Sequence, residues 1–450
     1  MTAPWPAADQ LGLLTDLYEL TMTQAYYAEG ARDPAVFSLF FRALPGERNF
    51  AVACGQEHVA RLITELRFPR ALVQRLAGMG PFKPGFLDWL ADFRFSGEVR
   101  ALPEGSLVFP NEPLLEVRAP IAEGQLLESL LMNYVNLETL LASKAARVVL
   151  AAGDAAVMDF GMRRMHGLEA AWRGVRAYRV AGIAGTSNVL GALDFDLPAQ
   201  GTLAHSYIQA HDSESEAFRR YARDYPGTTL LVDTYDTLAG VDKVIALVRD
   251  EGLKVGAVRI DSGDLAELAR AARQRLDAAG LSAIKVVVSG GLDEWKVAAL
   301  VAAGAPIDGF GVGTEMGSVA DAPSLDFAYK LTEYRGRPRL KTSPGKPIYP
   351  GAKQIWRYRD GDGRLLGDEI TGADEQRQGE PLLRTVVAGG EPLAAAPDAD
   401  AARQRLRRDL AALAAPLRGV ARAESPYPVR FSDALESLRR DTLAALAGER

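Results

Sequence analysis

Two charged side chains stand at the end of an apolar run in VRIDSGDL, residues 258–265. Side chains alternate between faces along a strand, so Arg259 and Asp261 point to the same face. A charged pair at the end of a buried strand costs free energy unless the charges are paired or used. Two interpretations stay open: a salt bridge that closes the end of the sheet, or a cation and a carboxylate that face a polar substrate. Asp264 is predicted to cap the next helix.

Glycine-rich turns follow two consecutive apolar runs, in VVVSGGLDEW (286–295) and in GFGVGTEMGS (309–318). Glycine lets backbone N–H groups approach a phosphate at a helix N-terminus. Glycine also serves ordinary tight turns between strands and helices, so one such turn is weak support for a site. Two turns on consecutive strands predict a sugar-phosphate site, because the last strands of α/β barrels commonly hold a phosphate.

The chain has four histidines, and two of them lie in GTLAHSYIQAHDSES, residues 201–215. His205 follows what is predicted to be the end of a short buried strand. From its type alone it could be a ligand, a base, a nucleophile or a core residue. Ser213 and Glu216 have the spacing of a capping box at the start of a helix, which predicts that His211 lies in a loop.

Further candidates follow two other apolar runs. Phe160 and Arg163 lie in MDFGMRR (158–164), and Asp233 precedes TYD (234–236). Taken singly, Phe160 fits a core position and Arg163 fits a solvated surface charge. Together with the preceding groups they offer arginine, aspartate, paired glycines and an aromatic ring at strand ends. This set suits a flat, charged small molecule beside a phosphorylated sugar.

Strand-like and helix-like segments alternate in the middle of the chain. A strand, a helix and another strand in succession indicate βα units around a parallel sheet. In such folds the catalytic and binding residues lie where the strands end. The clearest helix is residues 264–280. We therefore predict an α/β fold: an irregular (β/α) barrel of about seven strands, with an α/β N-terminal domain and a C-terminal segment that packs back on it. The predicted strands are 156–160, 178–183, 202–205, 229–234, 255–261, 284–290 and 308–313.

The predicted domain limits are 1–150, 151–335 and 336–450. The first contains a helix over 15–29, with Asp16 and Glu19 as a capping box, and a long helix from about 127 to 152. Its other predicted elements are a strand over 36–42 and a β-rich module over 97–118. The last contains a basic loop, a hairpin and a helical tail.

Bulk properties exclude several classes of protein. The 450 residues carry a net charge of −6, which disfavours a general nucleic-acid binder. One cysteine, Cys54, permits neither an intrachain disulfide framework nor a thiolate zinc site. MTAPWPAADQ has no secretory pattern, and no apolar run approaches the roughly 20 residues that span a bilayer. We expect a cytoplasmic protein without membrane or nucleic-acid partners.

Nine ordered segments resemble the nicotinate phosphoribosyltransferase family of type II phosphoribosyltransferases. They are LLTDLYELTM, FRALPGERNF, DFGMRR, GIAGTSNV, GTLAHS, LLVDTYDT, RIDSGD, SGGLDE and GFGVGTE. The resemblance implies that nicotinate attacks C1 of phosphoribosyl diphosphate, giving nicotinate mononucleotide and diphosphate. It also implies Mg²⁺, ATP as co-substrate, and NAD biosynthesis as the setting. His205 then resembles the histidine that accepts the γ-phosphoryl group of ATP, a step for which a neutral imidazole is a competent nucleophile.

The resemblance assigns roles to other residues. Phe160 resembles the ring that stacks on the pyridine, and Tyr18 resembles a second ring delivered by the other subunit of a homodimer. Arg163 and Arg259 resemble cations on the nicotinate and phosphoribosyl sides. Asp261 resembles the carboxylate near the ribose, where it would stabilise an oxocarbenium-like transition state.

The remaining assignments concern phosphate, metal and substrate choice. The 5′-phosphate cradle is assigned to Gly290, Gly291, Gly311 and Gly313, with Ser289 and Thr314 beside them. Arg42 resembles a contact from the second subunit to diphosphate, and Lys341 and Lys346 lie in the basic loop. The Mg²⁺ ligands stay open, with Asp233 and Asp261 as candidates. Ser187 is expected to select the acid, because the amide-using relatives have an aspartate there; alternatively, Ser187 simply caps the next helix.

Three alternatives remain. A nicotinamide phosphoribosyltransferase would share the fold. A barrel lyase acting on a sugar phosphate would need a Schiff-base lysine or a metal cluster at a strand end, but the predicted strands carry only Lys285, at a strand start. A catalytically silent binding protein is disfavoured by the presence of His205, Arg259 and Asp261.

Overall fold

The computed structural model describes residues 8–342, 348–393 and 398–448. The chain forms two compact units. A discontinuous unit contains Met1–Ser143 and Ser324–Arg450, and a continuous unit contains Lys144–Pro323. This grouping joins the two ends of the chain in one unit. The predicted limits 1–150, 151–335 and 336–450 stay a prediction.

The N-terminal part of the discontinuous unit begins with a 3₁₀ turn, Ala8–Leu13, and mixes short strands with helices. Its elements are α1 (Leu17–Ala28), β1 (Pro34–Phe41), β2 (Ala51–Val52), α2 (Gln56–Thr64), α3 (Arg70–Ala77), α4 (Pro84–Ala91), β3 (Glu98–Ala101), β4 (Leu107–Val108), β5 (Leu115–Pro120), α5 (Ile121–Gln125) and α6 (Glu128–Ala152), which continues into the other unit.

The continuous unit alternates strands and helices. Its elements are β6 (Ala156–Asp159), α7 (Leu168–Ala181), β7 (Gly185–Thr186), α8 (Val189–Asp194), α9 (His205–Gln209), α10 (Glu214–Asp224), β8 (Thr228–Leu231), α11 (Thr237–Glu251), β9 (Val255–Ile260), α12 (Leu265–Ala278), β10 (Lys285–Ser289), α13 (Glu294–Ala302), β11 (Gly309–Val312) and α14 (Thr314–Ser318), with a 3₁₀ turn at Met162–Arg164.

The C-terminal part of the discontinuous unit is mainly β. Its elements are β12 (Phe327–Tyr334), β13 (Arg337–Pro338), β14 (Lys353–Arg359), β15 (Leu365–Gly372), β16 (Glu380–Pro381), β17 (Arg384–Ala388), β18 (Glu391–Pro392), α15 (Ala399–Ala412), β19 (Val429–Phe431) and α16 (Asp433–Gly448), with a 3₁₀ turn at Ala415–Arg418. The predicted hairpin is β14 with β15, which pair antiparallel.

Both ends of the chain contribute to the main sheet of the discontinuous unit. It has seven strands in the order β13-β12-β1-β5-β3-β17-β18. β1 lies between β12 and β5 and pairs antiparallel with both. A second sheet of four strands has the order β16-β14-β15-β19. β1 is almost wholly buried, and its largely apolar sequence PAVFSLFF contains one hydroxyl, that of Ser38, which donates to Glu116 at 2.6 Å.

The sheet of the continuous unit carries the predicted strand ends. Its described strands number six, in the order β7-β6-β11-β10-β9-β8, and each adjacent pair is parallel. The carboxyl ends of parallel strands meet at one edge of a sheet. The prediction of an α/β fold with a parallel sheet is therefore confirmed, whereas closure into a barrel of about seven strands stays a prediction.

Two predicted strands of this sheet are wrong. Residues 178–183 form the last turn of α7 and its end, where Gly182 has a φ of +96°. Residues 202–204 have no regular structure, and His205 begins α9. A short apolar run cannot distinguish a buried strand from a buried helical turn. The sequence analysis also missed β7, a strand of only two residues.

The predicted helix starts have mixed outcomes. Asp264 accepts a hydrogen bond from the Glu267 N–H at the start of α12, and Ser213 does so from the Glu216 N–H, so both caps are confirmed. The capping box of α1 is wrong. The Asp16 side chain makes no cap hydrogen bond, and Glu19 instead accepts from Thr15 and Ser129. Among the described residues, no helix is both long and apolar enough to cross a membrane.

Candidate active site

Arg259, Asp261 and Ser289 form a hydrogen-bonded cluster at the carboxyl ends of β9 and β10. Arg259 Nη1 donates to Asp261 Oδ1 and to Ser289 Oγ, both at 2.9 Å. Ser289 Oγ donates to the same Asp261 oxygen at 2.5 Å. Two donors therefore hold Asp261 Oδ1, while 37 % of the Asp261 side chain stays exposed. The predicted salt bridge exists, and its carboxylate also faces solvent, so the two interpretations of this pair are compatible.

Arg259 also holds the chain segment before His205. Its Nη2 donates to the backbone carbonyl of Leu203 at 3.2 Å. Burial lowers the pKa of Arg259, and the negative charge of Asp261 opposes that effect. The nearby positive charge of Arg163 lowers the pKa further. Arginine stays protonated despite such effects, so Arg259 supplies a fixed positive charge beside Asp261.

Asp233 follows β8 and faces the same cluster. Its Oδ2 accepts from the Asp261 N–H at 3.0 Å and from Ser262 Oγ at 2.7 Å. Its Oδ1 is buried and has no hydrogen-bond partner among the described residues. A buried carboxylate oxygen without a donor suits a hard cation such as Mg²⁺. The described residues contain no group of three or more potential metal ligands, and Mg²⁺ is commonly bound by one or two carboxylates together with substrate phosphates.

His205 is half-buried at the first position of α9. Its Nδ1 lies 3.0 Å from Thr234 Oγ1, in the segment that follows β8. Its partial exposure argues against a core role and leaves the ring accessible to a ligand. His211 differs: its Nδ1 lies 2.7 Å from the Tyr207 carbonyl, and its ring packs on Tyr207. The loop position predicted for His211 is confirmed, since it follows the end of α9.

Phe160 lies directly after β6, and two glycines make room for it. A Cβ on Gly311 would lie 2.5 Å from Phe160 Cε2, and a Cβ on Gly313 would lie 3.0 Å from the Phe160 carbonyl oxygen. The Phe160 ring therefore requires glycine at 311, whereas a side chain at 313 would fit only if the Phe160 backbone moved by a few tenths of an ångström. Their assignment to a phosphate cradle stays a prediction.

Gly290 and Gly291 form the turn after β10, where both have a positive φ, +95° and +57°. A Cβ on Gly290 would lie 1.9 Å from the Asp261 carbonyl oxygen, so glycine is required there. The turn leads within three residues to α13, whose N-cap Asp293 accepts a hydrogen bond from the Lys296 N–H at 2.7 Å. The assignment of this turn to a phosphate cradle stays a prediction.

Asp159 was missed by the sequence analysis. This buried residue at the end of β6 accepts from Thr186 Oγ1 at 2.6 Å and from the Gly161 N–H at 2.8 Å. Its backbone carbonyl accepts from the Ser187 N–H at 2.9 Å. Burial raises the pKa of Asp159, and the bonds from Thr186 and Gly161 oppose that rise. Asp159 thus holds the turn after Phe160 beside Ser187. In the sequence, the feature that could have identified Asp159 is an acidic residue at the end of an apolar strand.

Ser187 is exposed and does not cap α8. Asn188 is the cap, because its side chain accepts from the Gly191 N–H at 3.1 Å. The helix-cap interpretation of Ser187 is therefore wrong, and its hydroxyl is not committed to a helix end. Arg163, in the 3₁₀ turn after Phe160, and Thr314, the first residue of α14, are also exposed.

The remaining predicted residues belong to the discontinuous unit. Tyr18 lies on α1 with 45 % of its surface exposed. Arg42 follows β1 and pairs with Asp326 at 3.2 Å. Lys341 is exposed, and Lys346 lies outside the described residues.

Comparison with known proteins identifies relatives over nearly the whole chain. Residues 13–136 match the nicotinate phosphoribosyltransferase N-terminal domain, and residues 155–378 match the nicotinate phosphoribosyltransferase family. Nicotinate phosphoribosyltransferase pncB2 of Mycobacterium tuberculosis is 49 % identical, covering 94 % of this chain and 91 % of the relative. The Bacillus subtilis nicotinate phosphoribosyltransferase is 38 % identical over 84 % of this chain and 79 % of the relative.

Solved structures agree with these sequence relatives. The crystal structure of human nicotinic acid phosphoribosyltransferase superposes with a TM-score of 0.85 at 30 % identity, covering 95 % of this chain and all of that chain (100 %). A nicotinate-nucleotide pyrophosphorylase from Pyrococcus furiosus gives 0.74 at 26 % identity, over 91 % and 99 % of the two chains. With matches of this extent in sequence and in fold, the chain belongs to the nicotinate phosphoribosyltransferase family.

Proposed function

We propose that this protein transfers the phosphoribosyl group of phosphoribosyl diphosphate to nicotinate, as part of NAD biosynthesis. The bond between C1 and the diphosphate oxygen breaks, and a bond between C1 and the pyridine nitrogen forms, giving nicotinate mononucleotide and diphosphate. The observation that carries the proposal is the Arg259–Asp261–Ser289 cluster, which holds a carboxylate at a strand end beside a glycine turn. Membership of the family supports it.

The cluster suits a transition state with positive charge on the sugar. A carboxylate held by two hydrogen bonds from fixed donors need not reorganise as that charge develops. Asp261 then stabilises the cationic ribose, and Gly290 and Gly291 receive the 5′-phosphate near the start of α13. Phe160 stacks on the pyridine, with Arg163 as a compensating charge for its carboxylate. When bound, Mg²⁺ supplies charge neutralisation to the diphosphate, and Asp233 and Asp261 are the residues that would hold it.

ATP hydrolysis is coupled to this reaction through His205 in our proposal. An imidazole nitrogen of His205 takes the γ-phosphoryl group, ADP leaves, and the phosphohistidine is later hydrolysed to phosphate. The half-buried ring and its contact with Thr234 support this assignment, because the ring is both accessible and oriented. Arg259 supports the same segment through the Leu203 carbonyl.

The activity is tested with purified protein, nicotinate and phosphoribosyl diphosphate, with and without ATP. We expect nicotinate mononucleotide as the product and a faster rate with ATP. Nicotinamide serves as the competing substrate; preferential use of the amide would contradict the acid assignment. A Schiff-base lyase is not favoured, since Lys285 begins β10 and therefore lies at the amino end of its strand.

We also propose a homodimer with shared active sites. The segment from Leu14 to Met22 exposes several large apolar side chains, among them Tyr18, and α8 exposes another group. Apolar side chains clustered on a surface mark interaction sites. The exposed members are Leu14, Leu17, Tyr18 and Met22 in the first region, and Val189, Leu190 and Leu193 in the second. A reducing compartment, the cytoplasm, fits a chain whose one cysteine, Cys54, is buried and forms no disulfide among the described residues.

The shared site predicts complementation between two inactive variants. Homodimers of Tyr18→Ala and of Asp261→Ala are each expected to be inactive. In the first, both active sites lack the Tyr18 ring, and in the second, both lack the Asp261 carboxylate. In a hybrid dimer one site is intact, so mixing the two under conditions that exchange subunits restores up to about a quarter of wild-type activity. The measurement is nicotinate mononucleotide formation after exchange, with hybrid formation checked by mass spectrometry of tagged chains. Hybrids without activity would show that Tyr18 acts within its own chain.

Ser187→Asp is expected to lower kcat/KM for nicotinate at least ~100-fold, equivalent to ~2.7 kcal/mol. An aspartate there would repel the nicotinate carboxylate, and like charges at short range in a pocket cost several kcal/mol. A serine hydroxyl instead donates to a carboxylate. Ser187→Asn is the matched control, because asparagine has nearly the shape of aspartate without its charge. Equal nicotinate kinetics for Ser187→Asp and Ser187→Asn would contradict repulsion of the nicotinate carboxylate by a charge at this position.

A further inference from the structure

Four charged side chains, three of them buried, form a cluster in the continuous unit outside the site described above. Lys144 Nζ lies 2.5 Å from Glu294 Oε2 and 2.8 Å from Asp321 Oδ1. Arg147 Nε lies 2.9 Å from Glu294 Oε1. The side chains of Lys144 and Glu294 are completely buried, whereas 22 % of the Asp321 side chain is exposed. We call these four residues the Lys144 cluster.

The cluster is closed on one side by an aromatic ring. Lys144 Nζ lies 4.8 Å from the centroid of the Trp295 ring, and the guanidinium carbon of Arg147 lies 5.5 Å from it. Two positive and two negative charges balance formally. Ion pairs removed from water gain little net stability over well-packed apolar groups, but breaking one leaves an uncompensated charge at a high cost. The cluster therefore constrains position strongly even where its net contribution to stability is small.

Each carboxylate of the cluster lies just beyond one of the two glycine-rich turns. Glu294 is the first residue of α13, three residues after Gly291. Asp321 follows α14, the helix that begins directly after Gly313. Lys144, on the last part of α6, contacts both carboxylates with one ammonium group. One side chain thus ties the turn after β10 to the segment after β11.

The backbone near Asp321 shows that this segment is held firmly. Val319 has a φ of +48° and is buried, with 1 % of its surface exposed. A β-branched residue in this region is strained by about 1–3 kcal/mol and persists only where the surroundings fix it. The Val319 carbonyl accepts from the Ala322 N–H at 2.9 Å, and Asp321 pairs with Lys144. The segment after Glu315 is therefore folded against its own unit.

We infer that Lys144 is a positioning residue for binding the 5′-phosphate of phosphoribosyl diphosphate. It acts through Glu294 and Asp321, which keep the turns at Gly290–Gly291 and at Gly313 at a fixed separation. The inference rests on the proposed function and deepens it, since it assigns the phosphate subsite a support that touches no substrate. Displacing a binding group by about 1 Å is enough to lower activity by up to about 100-fold, so loss of this support has a measurable effect.

The test compares Lys144→Met with Lys243→Met. Lys243 is a matched control, because its Nζ lies 2.7 Å from Glu214, another buried glutamate of the same unit, on α10 rather than beside a glycine turn. Both substitutions remove a lysine charge and leave a buried carboxylate with one partner fewer. We expect Lys144→Met to raise KM for phosphoribosyl diphosphate at least about tenfold, with KM for nicotinate changed less than about twofold. Lys243→Met lowers the melting temperature and changes neither KM.

Hydrogen–deuterium exchange supplies a readout that does not depend on activity. Peptides that cover 286–295 and 314–322 are expected to exchange faster in Lys144→Met than in wild type or in Lys243→Met. If Lys144→Met does not fold, Asp321→Asn is the second variant. It removes one charge at a partly exposed position and leaves the contact between Lys144 and Glu294 in place. It is expected to accelerate exchange in 314–322 and to raise KM for phosphoribosyl diphosphate about threefold.

The outcomes separate the two proposals. Wild-type protein that forms no nicotinate mononucleotide would overturn the proposed function, whatever the exchange data show. An active wild type whose Lys144→Met and Asp321→Asn variants keep both KM values and both exchange rates would overturn the role of Lys144 alone. Equal rises in KM for the two substrates would likewise contradict it, because they indicate a general loss of structure.

Discussion

Asp261→Ala is expected to lower kcat/KM for nicotinate mononucleotide formation by about 1,000-fold, equivalent to about 4 kcal/mol. The substitution removes the carboxylate that accepts from both Arg259 and Ser289, and it leaves the positive charge of Arg259 uncompensated beside the cationic ribose. Both effects act on the transition state more than on the bound substrate. We therefore expect the loss mainly in kcat, measured under saturating concentrations of both substrates.

Asp264→Ala is the matched control for this prediction. Asp264 lies in the same segment, but its side chain caps α12 by accepting from the Glu267 N–H. Its loss is expected to cost about 1 kcal/mol of stability, as for other N-caps, with kcat within about twofold of wild type. If the two alanine variants have equal activity, the electrostatic role of Asp261 is contradicted. Melting temperatures of both variants show whether folding contributes.

His205→Ala is expected to abolish labelling of the protein by [γ-³²P]ATP and to remove the acceleration by ATP. The reason is that the imidazole is the proposed phosphoryl acceptor, held at the start of α9 by its contact with Thr234. A slower reaction without ATP is expected to persist, because Asp261, Phe160 and the glycine turns are untouched. Acid-labile ³²P on the intact protein and the ratio of ADP to nicotinate mononucleotide measure the two effects.

His211→Ala provides the comparison within the same segment. The His211 ring packs on Tyr207 and lies beside its carbonyl, so its loss affects local packing only. This variant is expected to label like wild type. Labelled His205→Ala, or a loss of label in His211→Ala, would place the phosphohistidine elsewhere.

The sequence predicted those strands that are buried on both faces. β10 and β11 read as apolar runs followed by glycines because a strand inside a parallel sheet presents both faces to apolar neighbours. The same logic failed for residues 178–183, since a buried helical turn gives a similar short run of mainly apolar residues. β7 was not predictable by periodicity, because two residues contain no period.

Within the candidate site, local spacing identified partners that are close in sequence. Arg259 and Asp261 were predicted to share a face because side chains alternate along a strand, and they do form a pair at 2.9 Å. Contacts between distant segments were beyond such reasoning. Arg259 with Leu203, Asp159 with Thr186 and Lys144 with Glu294 each join residues that only the chain path brings together.

The sequence by itself determined the family, the parallel strands with continuous apolar runs, and the residue types at the ends of those strands. These properties depend only on the order and spacing of residues that are close together in the sequence. Only the tertiary structure decided what each of those residues touches. Position 311 is a glycine because the Phe160 ring occupies the space that a Cβ would need. Position 290 is a glycine because the Asp261 carbonyl oxygen occupies that space there. Whether a glycine serves a phosphate, a ring or a turn depends on its neighbours across the sheet, and these neighbours are set by packing over the whole unit.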